Sequence, residues 1–92
     1  MNVEVLYFAE FKDITGKEKE KFDLPKSNLL GLLDILFEKY ELKNIIWNDQ
    51  NQQIHNSISI IINNQAIHEK NPSLIMLDEG DKIAFLLPVS GG

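Results

Sequence analysis

Cysteine is absent from this chain of 92 residues. Its absence excludes disulfides, a thiol nucleophile and thiolate metal sites. Any sulfur chemistry here must do without a side-chain thiol. Long apolar runs are also missing, and no stretch approaches the ~20 residues that span a bilayer. The opening Met1-Asn2-Val3-Glu4-Val5 lacks a basic region followed by a long apolar run, so no secretory signal is visible and the expected compartment is the cytoplasm. Basic charge is scarce, with 9 basic side chains against 14 acidic ones and a formal net charge of -5. A free-standing nucleic-acid binder needs a basic face and is therefore not expected. The overall charge favours a basic partner surface instead. Neither internal repeats nor low-complexity segments are apparent.

What is present fits one small domain over residues 1–92, in which 43% of residues are hydrophobic. Residues 2–9 are rich in branched and aromatic side chains and predict a strand. Its alternation puts Val3, Val5 and Tyr7 on one face and Glu4, Leu6 and Phe8 on the other. Glu10 to Thr15 reads as a short helix ended by Gly16. Residues 18–24 predict a charged edge strand, paired antiparallel with the first and stopped by Pro25. Ser27 or Asn28 offers an N-cap for the most secure helix, in which apolar positions 29, 32, 33, 36 and 40 follow helical spacing. Gly31 inside it costs about 1 kcal/mol against alanine and marks close packing on a neighbour.

The stretch 41–57 is polar and rich in asparagine and glutamine, with Ile45, Ile46 and Trp47 as an anchor, and the tract Asn48 to Gln53 within it reads as a surface loop. Ser57 to Ile62 predicts a strand buried on both faces. Asn63-Asn64 is a hairpin turn leading into a strand at Gln65 to His68. Residues 71–73 form a loop, Leu74 to Leu77 a short apolar piece, Glu79-Gly80-Asp81 a turn, and Lys82 to Leu87 the final strand. Strand, strand, helix and then further strands imply an α+β fold, a mixed sheet with one main helix on one face. If the first and last strands lie side by side in parallel, the layout is the β-grasp, or ubiquitin-like, fold.

Side-chain chemistry is sparse. His55 and His68 are two isolated histidines without cysteine, too few for a zinc site, and read as surface or hydrogen-bonding residues. Asp78-Glu79-Gly80-Asp81 lacks the remaining ligand spacing of a calcium loop and reads as an acidic turn. No nucleophile-base spacing, phosphate loop or paired-carboxylate motif stands out. No metal site is expected, and no catalytic side chain of the chain's own.

The chain closes on Leu86-Leu87-Pro88-Val89-Ser90-Gly91-Gly92. A glycine at a terminus does nothing for folding. Without side chains, however, Gly91-Gly92 can thread a narrow channel and present the terminal carboxylate as the reacting group. That carboxylate must first be activated, for example as an acyl-adenylate. Residues 88–92 are expected to form a flexible tail, which at up to ~3.6 Å per residue reaches up to ~18 Å.

The segments Leu6-Tyr7-Phe8-Ala9-Glu10-Phe11-Lys12-Asp13-Ile14-Thr15-Gly16, Ser59-Ile60-Ile61-Ile62-Asn63-Asn64-Gln65-Ala66-Ile67 and Glu79 to Gly92 resemble the ubiquitin-like sulfur-carrier family that includes the small subunit of molybdopterin synthase. The resemblance runs along essentially the whole chain. Ala9, Lys12-Asp13 and Gly16 fall on its first motif, where the family usually has arginine and glutamate in place of Lys12 and Asp13. Asn63 matches the asparagine after its central strand, Gly80-Asp81 its turn, and Gly91-Gly92 its reactive terminus. Leu87 stands where many members have a proline before the one matched by Pro88, and the 41–57 insert is longer than in the compact bacterial form.

The resemblance implies that a ubiquitin-activating-type enzyme adenylates the Gly92 carboxylate with ATP. Sulfur then replaces AMP to give a thiocarboxylate, and the tail enters the large synthase subunit to deliver sulfur to a pterin precursor. No cofactor is implied as permanently bound, and ATP is used by the activating enzyme. The partners implied are these two proteins, without nucleic acid or membrane. The partner-binding residues expected are Leu6, Phe8 and Leu86 on the open face of the sheet, with Pro88, Val89 and Ser90 in the tail. The other readings are a modifier conjugated to lysines through Gly92, a carrier serving thiamine or cysteine synthesis, and a plain interaction domain with an incidental diglycine.

Overall fold

The computed structural model describes residues 1–88. The expectations for Val89, Ser90, Gly91 and Gly92 lie outside them. The elements run β1 (Asn2–Leu6), α1 (Ala9–Thr15), β2 (Lys19–Asp23), α2 (Leu29–Lys39), α3 (Lys43–Ile46), β3 (Trp47–Asn48), β4 (Gln53–Ile54), β5 (Ser59–Ile62), β6 (Gln65–Ile67), a 3-10 turn at Pro72–Leu74, and β7 (Lys82–Leu86). Five strands form one mixed sheet in the order β2-β1-β7-β5-β6, and β3 and β4 form a separate two-stranded ribbon. The first and last strands are parallel neighbours, with Val5 opposite Ile83. This is the β-grasp arrangement that the element order predicts.

Local chemistry explains the main elements. Asn28 caps α2, its side chain accepting from the Gly31 amide at 3.0 Å, which satisfies one of the free donors at a helix start. Of the two cap candidates, then, Asn28 is the one used. Leu29, Leu32, Leu33 and Leu36 form a stripe that is fully buried against the sheet. A Cβ added at Gly31 would meet the Lys26 Cβ at 3.1 Å, so the glycine lets the incoming chain press on the helix. Gly16 ends α1 in the left-handed region at φ 73°, its amide donating to Lys12 O. Asn63 and Asn64 turn the β5-β6 hairpin with φ 51° and 67°, values that asparagine tolerates better than most residues.

Two expectations need correction. The tract Asn48 to Gln53 is not all loop, because Asn48 and Gln53 pair in the β3-β4 ribbon; α3 precedes it, and Leu42, Ile46 and Ile54 of the same polar stretch are buried in the main core. Elements of two to four residues carry no readable periodicity, and Leu42 and Ile54 are isolated apolar residues in polar surroundings. The second correction concerns β5, which is not buried on both faces. Ile58, Ile60 and Ile62 are buried, Ile61 is partly exposed and Ser59 exposed. Among the described residues the sheet has a layer on its helix side only, so alternate residues of this apolar run meet solvent. Trp47 packs edge-on against Phe37 of α2, with ring centroids 6.4 Å apart, and so lies on the helix side of the sheet.

Candidate functional site: the open face and the root of the tail

β7 delivers the chain toward its terminus from the middle of the sheet, hydrogen-bonded to β1 on one side and β5 on the other. Its inward residues Ile83 and Phe85 are buried, and Leu87 packs on the core as the alternation predicts. Pro88 is exposed. The last described residues therefore leave a strand that the rest of the molecule holds on both sides.

The start of β7 is clamped as well. Asp81 is buried. One of its carboxylate oxygens accepts from Asn63 Nδ2 at 2.7 Å and the other from the Asp78 amide at 2.8 Å. Asn63 Oδ1 accepts from the Lys82 amide at 3.0 Å, and the Asn63 amide donates to Lys82 O at 2.9 Å. The Asp81 carbonyl accepts from the Glu4 amide at 2.9 Å, and the Gly80 amide donates to Asn2 O at 2.7 Å. Gly80 takes φ 84°, which fits glycine at this turn. The residues that match the family's asparagine and Gly-Asp turn thus meet in space, and together they set the height of β7 against β1 and β5.

The open face follows from the strand register. Leu6 lies abreast of Ala84, which lies abreast of Ile61. Leu6 and Leu86 are partly exposed and Phe8 is 49% exposed. With Ile61 and Ala84 they line a shallow hollow whose far rim is Asn63, Asn64 and Lys82. Ala84 points outward but is buried, because its methyl sits between larger neighbours on both flanking strands. The structure brings Leu6, Phe8 and Leu86 together at the root of the tail, and among the described residues no loop covers them.

On the helix side a polar cluster ties the edge strand to α2. The Glu20 side chain is only 10% exposed. Its carboxylate accepts from Tyr7 Oη at 3.0 Å and Tyr40 Oη at 2.7 Å, pairs with Lys17 at 3.0 Å, and also receives Lys39. Burial alone raises the carboxyl pKa, but these hydrogen bonds outweigh it and hold the group down at about 2. The same burial, together with the bond to Glu20, pushes the Tyr7 phenol far up. The two tyrosine rings meet edge-on, with centroids 6.2 Å apart. This cluster was not read from the sequence. The available signal was Tyr7 itself, since an inward tyrosine hydroxyl requires a buried partner.

Of the remaining motif residues, Lys12 pairs with Glu18 at 3.2 Å and Asp13 is exposed. His55 is partly buried and His68 exposed. Among the described residues no three His, Asp or Glu side chains gather as a metal site would require, and no helix is long and apolar enough to cross a membrane.

A family model described as the ThiS family matches residues 5–92. The chain belongs to the ThiS family. The human molybdopterin synthase sulfur carrier subunit is 34% identical, over 98% of this chain and 93% of its own length. Among solved structures, small archaeal modifier protein 1 from Methanosarcina acetivorans is similar with a TM-score of 0.78 and 30% identity, covering 99% of this chain and 96% of that one. Subunit 1 in the complex of subunits 1 and 2 of the molybdopterin-converting factor from Helicobacter pylori is similar with a TM-score of 0.65 and 30% identity, covering the whole of both chains. The family match extends to Gly92 and so includes the diglycine.

Proposed function

We propose that this chain is a sulfur carrier, the small subunit of a molybdopterin synthase, and that its working group is the Gly92 carboxylate. In this reading a ubiquitin-activating-type enzyme adenylates Gly92 with ATP, sulfur displaces AMP, and the resulting thiocarboxylate gives its sulfur to a pterin precursor in the large subunit. The chain supplies no catalytic side chain of its own and holds no permanent cofactor. The observation that carries the reading is the placement of the tail root. The strand leading to Gly91-Gly92 is central and clamped at its start by Asn63 and Asp81, and it ends beside the apolar face of Leu6, Phe8 and Leu86, which no other described residues cover. Such a face marks a partner site. The full-length likeness to carrier subunits of that name, and to a subunit solved with its partner, supports the same assignment.

The test is the intact mass of the protein isolated from its own cells. The expected form carries one sulfur in place of one oxygen at the C-terminus. A carboxylate terminus alone, under conditions in which the cofactor is being made, overturns the proposal. The likeness to an archaeal modifier protein favours one second reading, attachment to lysines through Gly92. That reading expects diglycine remnants on lysines of other proteins after proteolysis.

A further inference from the structure

The open face carries a charge pattern that the total charge of -5 hides. All nine basic residues are lysines. Lys12, Lys17 and Lys39 are paired with Glu18 or Glu20, and Lys70 donates to the Ile58 carbonyl. Lys19, Lys21 and Lys82 make no ion pair among the described residues, and all three lie on the open face. The register sets Lys21, Glu4 and Lys82 abreast on β2, β1 and β7, and in the next row Lys19, Leu6, Ala84 and Ile61. Further along lie Phe8 and Leu86. The face thus grades from lysines at the start of β7 to apolar residues at the root of the tail. Two carboxylates lie among the three ammonium groups: Glu4 in the row of Lys21 and Lys82, and Glu79, which lines the same hollow as the three lysines and accepts from the Asn2 amide at 3.0 Å.

Lysines on a sheet edge discourage pairing with other chains, and that accounts for Lys19 and Lys21 on β2. It does not account for Lys82, because β7 is paired on both sides. On β7 Lys82 lies opposite Glu4 of β1, and Lys21 of β2 lies opposite the same carboxylate on its other side, so one carboxylate faces two lysines across the strands and the row keeps a net positive charge. The arrangement acquires a use when a partner brings negative charge to it.

Resting on the reading of the open face as the docking face, we infer that Lys19, Lys21 and Lys82 are its second half, and that the large synthase subunit presents a carboxylate cluster to them. Lys82 to Leu86 spans four strand steps, so the cluster sits back from the mouth that takes the tail by about 13 Å at ~3.3 Å per residue. Charges at an interface rim act on encounter and orientation more than on the final contacts. The lysine row steers the carrier so that the apolar face lands with the tail aimed at the mouth.

The experiment measures association of the full-length chain with the purified large subunit of the same organism, at low and raised salt. K21E/K82E is compared with K26E/K43E, which changes the net charge equally at two exposed lysines of the loop before α2 and of α3, and with F8K. The expected result is a fall of about 10-fold in association rate for K21E/K82E at low salt, with most of the salt dependence gone, and under 3-fold for K26E/K43E. Equal effects from the two pairs, or none from K21E/K82E while F8K weakens binding, overturn the lysine proposal and leave the docking face standing. If F8K and K21E/K82E both bind like the wild type, the docking face itself is wrong. Weakening confined to the activating enzyme assigns the lysine row to that partner and overturns the proposal. So does a wild-type dimer at micromolar concentration that K21E/K82E abolishes, since the occupant is then a second copy.

Discussion

Asn63 Nδ2 donates to Asp81 Oδ1 at 2.7 Å, across 18 residues of sequence. Through Asn63 Oδ1 and the Lys82 amide, at 3.0 Å, the same side chain fixes the first residue of the strand that leads to the tail. Asn63 also sits at φ 51°, so two demands fall on one position and substitutions can separate them. Asn63→Gly keeps the backbone conformation and loses the clamp, while Asn63→Ala loses both. The expected cost is about 1–2 kcal/mol for glycine, with up to about 1 kcal/mol more for alanine. Urea denaturation of the three proteins checks the order, and equal stability of Asn63→Gly and wild type would remove the clamp from the account.

Glu20 predicts an acid-sensitive contribution to stability. Its folded pKa, about 2, lies below the ordinary value of 4.5. The unfolded chain therefore takes up the proton first as pH falls. The stabilisation is fully present above about pH 5 and is lost as pH drops toward 2. Glu20→Gln keeps the shape but removes the charge that Lys17 and Lys39 face, and costs about 2 kcal/mol at pH 7, a figure discounted for solvent reaching the lysines. The variant should also lose much of the wild-type slope of stability between pH 5 and pH 2. Melting curves across that range measure both, and a parallel pH slope in the two proteins contradicts the assignment.

The legible parts of this fold are those with a repeating pattern. The leucine stripe of α2 and the alternation of Val3, Val5 and Tyr7 declare their buried faces, and Gly16 and Asn63-Asn64 declare their turns, because each needs a specific backbone conformation. The parallel pairing of β1 with β7 follows from two apolar strands at opposite ends of a short chain. Less legible was whatever depends on contacts distant in sequence. Leu42 and Ile54 lie in a polar stretch, and only the packing of α3 and the β3-β4 ribbon makes them core. Glu20 looks like one charge in an edge strand until Tyr7 and Tyr40 arrive from other elements. The open-face residues Leu6, Phe8 and Leu86 were readable from alternation, but the lysine row beside them required the register of three strands.

Phe8 tests the docking face directly. It is 49% exposed, on the chain between β1 and α1, so exchange for lysine leaves no cavity. Phe8→Lys should melt within a few degrees of wild type and bind the large subunit more weakly by about 2 kcal/mol, as for an aromatic anchor. Calorimetric titration beside melting curves gives both numbers. Unchanged affinity moves the docking site elsewhere, and a large fall in melting temperature shows that Phe8 supports the fold.

Removal of Gly92 should separate the fold from its use. The buried core is built from residues between Val3 and Phe85, with Leu87 packed against it, so the clamp, the sheet and the α2 stripe are complete without the diglycine. A chain ending at Gly91 should therefore melt within about a degree of wild type, since terminal residues of this kind contribute few core contacts. Its terminal carboxylate, however, stops one residue short, a loss of up to ~3.6 Å of reach, and a reacting atom displaced by that much leaves the geometry that adenylation requires. One added residue beyond Gly92 should fail as well, because the carboxylate then belongs to a different residue and carries a side chain into the channel. Pyrophosphate release with the activating enzyme and ATP measures the step for all three lengths. Adenylation of the shortened chain at the wild-type rate would show that Gly92 is not the working group.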